Sequence, residues 1–335
     1  MIRRREFIVG LGAAVWPVAV PAQELGLPVI GLLHGATVET YVPDAAGFAS
    51  GLKEAGFVEA QNLAIEYRFA NGRPDQLAAL ADDLVSRGVA LIVAGGDARA
   101  AIAAKHATAT IPIVFVIGSD PVKLGLAASL DHPGGNATGA TFPTAGLMSR
   151  KLALLREIMP RARRVGYLGE DPQAYGAAAA LAREIEDLKG EIRAAADPLG
   201  WQVVVAEVGG DHDYESAFAM FAERRADALV VAPSAVFAND ADDIVAMAEV
   251  HELATICPRR ADVVAGGLMS YGPRQAEAWR HGGLYAGQIL AGAAPAGLPV
   301  MPSTSLELAI NRGTAKLLGL EVPPTLLART DEVIE

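Results

Sequence analysis

Two doubly wound α/β lobes with parallel sheets, joined by a multi-strand hinge, are the fold that three observations predict. Short apolar runs alternate with helical patterns along nearly the whole chain. Several of those runs are continuous rather than alternating, as strands covered on both faces require. The alternation also comes in two successive sets, and strand–helix alternation builds βαβ units. A chain of 335 residues is about twice the usual domain length, which favours two lobes over one.

The chain opens with MIRRREFIVG, an address rather than a fold element. Arg3, Arg4 and Arg5 precede an uncharged run from Ile8 to Val20, and Val20-Pro21-Ala22 offers small side chains to a signal peptidase. A positive start, a short apolar run and a small-residue exit predict a secretory signal peptide over residues 1–22, removed near Ala22. The apolar run falls short of the roughly 20 residues that span a bilayer. Arg4-Arg5-Glu6-Phe7-Ile8 also fits the twin-arginine pattern, a receptor-read signal. Periplasmic location is therefore expected.

Four apolar runs follow in the first half: PVIGLLHG (28–35), LAIEYRFA (63–70), ALIVAGG (90–96) and IPIVFVIG (111–118). Four more occupy the second: RVGYLGE (164–170), WQVVVAEV (201–208), DALVVAPS (227–234) and LATICP (253–258). Between them, Leu77, Leu80, Ala81, Leu84 and Val85 form an apolar helical stripe, as do Met148, Leu152, Leu155 and Met159. The turn signal Pro133-Gly134-Gly135-Asn136 places a first crossing between lobes just beyond it. GGLMSYGP (266–273) reads as a second crossing and SLELAIN (305–311) as a third. The expected organisation is lobe 1 over 28–140 plus 274–303, lobe 2 over 141–270, and a third crossing with C-terminal helix and tail over 304–335.

Charge and cysteine usage narrow the function. The formal net charge is −11, and removing a leader with three arginines and one glutamate makes the remainder more negative still. That balance argues against nucleic acid, which is held by lysine and arginine on phosphate. Cys257 is the only cysteine, so no internal disulfide exists, and within ATICPR it reads as a small core hydrophobe. No G-x-S-x-G elbow, P-loop, or G-x-G-x-x-G after a strand is found beyond the leader. His34, His106, His132, His212, His251 and His281 lack metal-ligand spacing. No catalytic residue, metal or cofactor is expected.

In open α/β sheets ligands sit beyond the carboxyl ends of the strands, so the residues there are the candidate site. Gly118-Ser119-Asp120-Pro121 and Gly169-Glu170-Asp171-Pro172 share a strand–G–x–D–P pattern. Each aspartate suits a helix cap, with proline at the first helical position, and either could also receive a ligand ammonium or hydroxyl. Gly95 and Gly96 allow close approach to the backbone before Asp97, whose own charge competes for any anion site at that helix start. Ser234 and Thr37 supply neutral hydrogen-bonding groups, while Phe142, Tyr175 and Tyr271 offer rings that suit either ligand stacking or plain hydrophobic contact.

Long collinear blocks carry a resemblance: GLKEAGFVEAQNLAIEYRFANG, IPIVFVIGSDPVKLGLAASLDHPGGNATG, GGLMSYG and LLGLEVPPTLLARTDEVIE. With these the chain resembles, over nearly everything beyond the leader, the TrpX-like family of ABC transporter substrate-binding proteins. The resemblance implies a type I periplasmic-binding fold, a monomer that closes on a small organic ligand and delivers it to an inner-membrane permease. Aromatic amino acids or related compounds are the implied ligands. By position it implies a site at His34, Gly35 and Thr37; Gly95, Gly96 and Asp97; Ser119 and Asp120; Thr141 and Phe142; Ser234 and Tyr271. Asp97 departs from the small or neutral residue implied at its helix start. A ligand sensor for a membrane receptor and an exported enzyme are the alternative readings.

Replacing Arg4 and Arg5 by lysine is expected to abolish export, read as loss of processed protein from the periplasmic fraction. Undiminished accumulation there would show that the arginine pair is not the address.

Overall fold

A computed structural model of the chain describes residues 26–174 and 178–335. The expected leader and Tyr175 lie outside the described residues. The first lobe begins with β1 (Val29–His34), α1 (Val38–Glu54), β2 (Ala64–Phe69), α2 (Leu77–Ser86), β3 (Leu91–Gly95), α3 (Ala98–Ala107), β4 (Ile113–Ile117) and β5 (Ala137–Thr141). The second runs through α4 (Met148–Ile158), β6 (Arg164–Glu170), α5 (Ala179–Ala196), β7 (Gln202–Val208), α6 (Tyr214–Glu223) and β8 (Ala228–Val231). It continues with α7 (Ala235–Asn239), α8 (Ala241–Val250), β9 (Ala254–Cys257), α9 (Arg260–Val264) and β10 (Met269–Pro273). The chain then returns to the first lobe as α10 (Gln275–Leu290) and β11 (Met301–Pro302). It ends in the second with β12 (Leu306–Asn311), α11 (Arg312–Leu317), α12 (Pro324–Leu327) and β13 (Glu332–Ile334).

The continuous apolar runs have their explanation in the first sheet, ordered β11-β5-β4-β3-β1-β2 and parallel throughout. β3 and β4 are buried along their whole length. Ile92, Ala94, Ile113 and Phe115 pack on the face covered by residues of α2 and α3. Leu91, Val93, Val114 and Val116 pack on the opposite face, against α1 and α10. The second sheet, β13-β12-β10-β9-β8-β6-β7, is parallel except where β10 and β12 run antiparallel. Cys257 is a buried member of that lobe's core, and burial pushes its thiol well above the ordinary range.

The structure places two stretches differently from the sequence reading. GGLMSYGP does not itself cross; it forms β10, and the crossing follows Pro273. Residues 304–335 are more than a crossing and a tail, because β12 and β13 complete the second sheet. Periodicity could not reveal the edge strand β13, whose three residues are too few to show a pattern.

The three connections between lobes lie side by side. Ser303 N donates to Thr141 O at 2.7 Å, and Arg274 N donates to Ser305 O at 2.9 Å. The ladder from Met269↔Ile310 to Pro273↔Leu306 continues that pairing into the second lobe. A hinge of adjacent extended segments results.

Helix α10 is seated on α1 by glycines spaced four apart on both helices, Gly47 and Gly51 against Gly283 and Gly287. A Cβ at Gly51 would stand 1.9 Å from Arg280 O, and one at Gly283 would stand 2.1 Å from Phe48 O. Backbone therefore meets backbone, where nothing can yield cheaply. Alanine is the better helix former by about 1 kcal/mol, yet Gly283→Ala is expected to destabilise by about 1–3 kcal/mol through overpacking. A lowered urea midpoint at unchanged slope checks this; an unchanged midpoint would mean the helices separate at no cost.

Candidate ligand-binding cleft

The carboxyl ends of both sheets face one cavity of about 960 Å³ lined by residues of both lobes and of the hinge. From the first lobe come His34 after β1, Gly96 and Asp97 after β3, Ser119 and Asp120 after β4, and Thr141 and Phe142 at the end of β5. The second supplies Glu170 at the end of β6, Ser234 after β8 and Arg259 after β9.

A charged strap spans the cleft. Asp97 caps α3 by accepting from Arg99 N at 2.8 Å. Arg99 Nε donates to both Asp97 oxygens, at 2.9 and 2.8 Å, and Arg99 Nη2 donates across to Glu170 Oε1 at 3.1 Å. Ser234 Oγ donates to the same Glu170 oxygen. The ion pairs are nearly dry, with side-chain exposures of 10% for Arg99, 5% for Asp97 and 7% for Glu170. Burial disfavours the guanidinium charge, but the two carboxylates outweigh it and hold the pKa above its ordinary value.

Arg259 is placed differently. Its Nη2 donates to Ala238 O at 2.9 Å and to Asp262 Oδ1 at 2.5 Å, and its buried Nε has no hydrogen-bond partner among the described residues. Asp44 of α1 lines the same cavity. Burial pushes its carboxyl up to about 7, with Arg259 and a hydrogen bond to the Trp279 side chain opposing the shift.

His34 is buried at the base of the first lobe's wall. Its ring stacks on Trp279 with centroids 5.7 Å apart and lies 5.2 Å from Tyr41. Burial drops its pKa to about 4, so the imidazole is neutral at pH 7. Nδ1 accepts from Ala36 N at 3.2 Å, which leaves the proton on Nε2.

Further contacts join the lobes. Thr37 N and Thr40 Oγ1 both donate to Asn239 Oδ1 at 3.0 Å, and Asp120 N donates to Glu184 Oε1 at 3.1 Å.

Of the residues singled out in the sequence, His34, Gly96, Asp97, Ser119, Asp120, Thr141, Phe142 and Ser234 line this cavity. Gly35, Thr37, Gly95, Asp171 and Tyr271 are not among its lining residues. Gly35 packs behind the wall, where a Cβ would lie 2.4 Å from Asp97 Cβ. Gly95 closes β3 with its α-carbon against the Trp279 ring. Thr37 caps α1 and contacts Asn239 instead. Asp171 accepts from Gln173 N at 2.8 Å as a local turn cap, and Tyr271 packs on the second lobe's core. Asp120 also caps, accepting from Val122 N at 2.9 Å.

Sequence reasoning missed Asp44, Arg99, Glu170 and Arg259. Glu170 and Arg259 stand at strand ends, where the same rule that selected their neighbours could have found them. Asp44 carries no local signal, because only the packing of α1 against α10 turns it to the cleft.

The family model for ABC transporter substrate binding proteins matches residues 34–334. A tyrosine-binding protein of Clostridioides difficile (strain R20291) is 24% identical over 275 residues, 82% of this chain and 76% of that protein. An ABC domain from Streptococcus pneumonia in complex with L-Trp shares the fold at a TM-score of 0.81 and 23% identity, covering 92% of this chain and 100% of that one. The ligand-free, open structure of a substrate binding protein with adhesive properties from Clostridium difficile gives 0.63 at 23% identity, over 92% and 99%. The architecture is thus that of a type I periplasmic binding protein.

Asp44 couples this site to pH. Its folded-state pKa lies above the unfolded value, so the folded protein holds the proton more tightly, and stability falls as pH rises from about 4 through about 7. Asp44→Asn is expected to flatten that slope and to exceed the wild type by on the order of 1–2 kcal/mol at pH 8. Parallel urea midpoints for the two proteins from pH 5 to pH 8 would contradict it.

Proposed function

Because the chain belongs to the ABC transporter substrate binding protein family, we propose that it is the ligand-binding component of an ABC importer. It takes up a small organic ligand between its lobes in the periplasm and presents the closed form to a membrane permease. The observation that carries this reading is the convergence of charged groups from both lobes, Asp97 and Arg99 from one and Glu170 and Arg259 from the other, on a single cavity.

A zwitterionic or carboxylate-bearing ligand suits these groups. Among the described residues, the buried Nε of Arg259 has no hydrogen-bond partner and can donate to a ligand oxygen, and charge-assisted hydrogen bonds of this kind are the stronger ones. Asp97 and Glu170 together exceed the single positive charge of Arg99, so the strap keeps a negative balance that favours a ligand ammonium. Relatives that take tyrosine or L-Trp make aromatic amino acids the first candidates. Reversible delivery needs open and closed forms within a few kcal/mol of each other, which the handful of polar cross-lobe contacts allows.

Thermal-shift titration with L-tryptophan, L-tyrosine and L-phenylalanine tests the reading. Any one that binds is expected to raise stability by about 2.7 kcal/mol at a concentration of 100 Kd, and Arg259→Ala is expected to weaken that ligand at least tenfold. A flat response across these amino acids and across aromatic acids of any chain length would overturn it.

A further inference from the structure

We propose that the ligand of this cleft is an amphiphile, with a carboxylate head at Arg259 and an apolar arm, longer than one aromatic side chain, laid along α5. The proposal rests on the binding reading above and deepens it by naming the ligand class.

The apolar stripe is specific to one face of one helix. Leu181, Ile185 and Leu188 stand at i, i+4 and i+7 on α5, and all three line the cavity. Leu181 is buried outside the main clusters, Leu188 packs partly on the second lobe's core, and half-buried Ile185 belongs to the core of neither lobe. Phe142 and Pro143 of the first hinge crossing line the same cavity and supply further apolar surface. Apolar side chains that line a cleft suit an apolar ligand group.

Helix α5 is also held in place. Glu191 accepts from Gly146 N at 3.0 Å and from Met148 N at 2.8 Å. The nearly buried Lys189 pairs with Glu186 and Glu207. Three acids of α5 also line the cavity, Glu184, Asp187 and Glu191; Glu184 is occupied by Asp120 N on the other lobe.

Size points the same way. With the lobes already touching through Arg99–Glu170, Asn239–Thr37 and Asp120–Glu184, the cavity still measures about 960 Å³. That is the upper end of the roughly 300–1,000 Å³ that encloses drug-sized ligands.

The head falls to Arg259 by elimination among the cations that line the cavity. Arg99 is matched by Asp97 and Glu170, Arg260 by Glu332, and Arg274 by Asp331 and Glu307. Lys123 is exposed beside Asp120. Arg259 pairs with Asp262 through Nη2 but keeps a buried Nε with no hydrogen-bond partner among the described residues.

Calorimetric titration of the purified protein with benzoate, 3-phenylpropionate, 5-phenylpentanoate and 7-phenylheptanoate tests the arm. Affinity is expected to rise about fourfold per methylene along the series. Ile185→Asp and Leu181→Asp, each checked for an intact melting transition, are expected to cost at least tenfold more affinity for 7-phenylheptanoate than for benzoate. Affinity that stays level or falls with length, while benzoate or an aromatic amino acid still binds, would overturn the arm and leave the binding reading standing. Length-dependent gains that survive in both variants would likewise remove the arm from α5. Silence of every acid and amino acid would sink the binding reading itself, and the arm with it.

Discussion

The return of α10 to the first lobe is the constraint on which the architecture depends. Gly283 of α10 faces the backbone of Phe48, and Gly47 and Gly51 of α1 face the backbone of Ala276 and Arg280, so this helix cannot be replaced by one with ordinary side chains at the contact. Because α10 follows a strand of the second sheet and precedes another, seating it obliges the chain to cross between lobes three times. The crossings then pair with each other at Thr141, Ser303, Arg274 and Ser305. A hinge built this way lets the lobes approach along a defined path, and the cleft is the space it leaves.

The cleft keeps ionised groups where water is scarce, and this does not serve stability. Taking a guanidinium and two carboxylates out of water costs several kcal/mol per ion before their mutual attraction offsets it. Well-packed apolar residues of similar size would often serve the fold as well or better. Asp97, Arg99 and Glu170 make sense instead as a strap between separable bodies, with polar groups ready for a partner that enters from solvent. His34 follows the opposite rule: packed among Trp279, Tyr41 and Phe69, it gives up its charge and serves the wall as a neutral donor.

Much of the fold was legible because strands buried on both faces must be apolar throughout. The eight runs read from the sequence correspond to β1–β4 and β6–β9 within a few residues at each end. The site was legible in part, through the rule that ligands gather at carboxyl strand ends. That rule names a neighbourhood, not a side chain, as the adjacent pair after β6 illustrates. Glu170 reaches Arg99 across the cleft and accepts from Ser234 of its own lobe, whereas Asp171 turns back to cap its own loop. In a strand buried from Val165 to Glu170, no alternation of polarity reveals which of two neighbouring acids points inward.

Local pattern alone determined the α/β class, the two sets of βαβ units and the strand ends where a ligand would be met. Each follows from residues near one another along the chain, since periodicity and turn chemistry are short-range physics. Only the tertiary structure decided that Gly47, Gly51, Gly283 and Gly287 form one helix contact, that 304–335 completes the second sheet, and that Arg99 of one lobe meets Glu170 of the other. Those pairings join residues separated by scores to hundreds of positions, and their energies exist only after the backbone has brought them together.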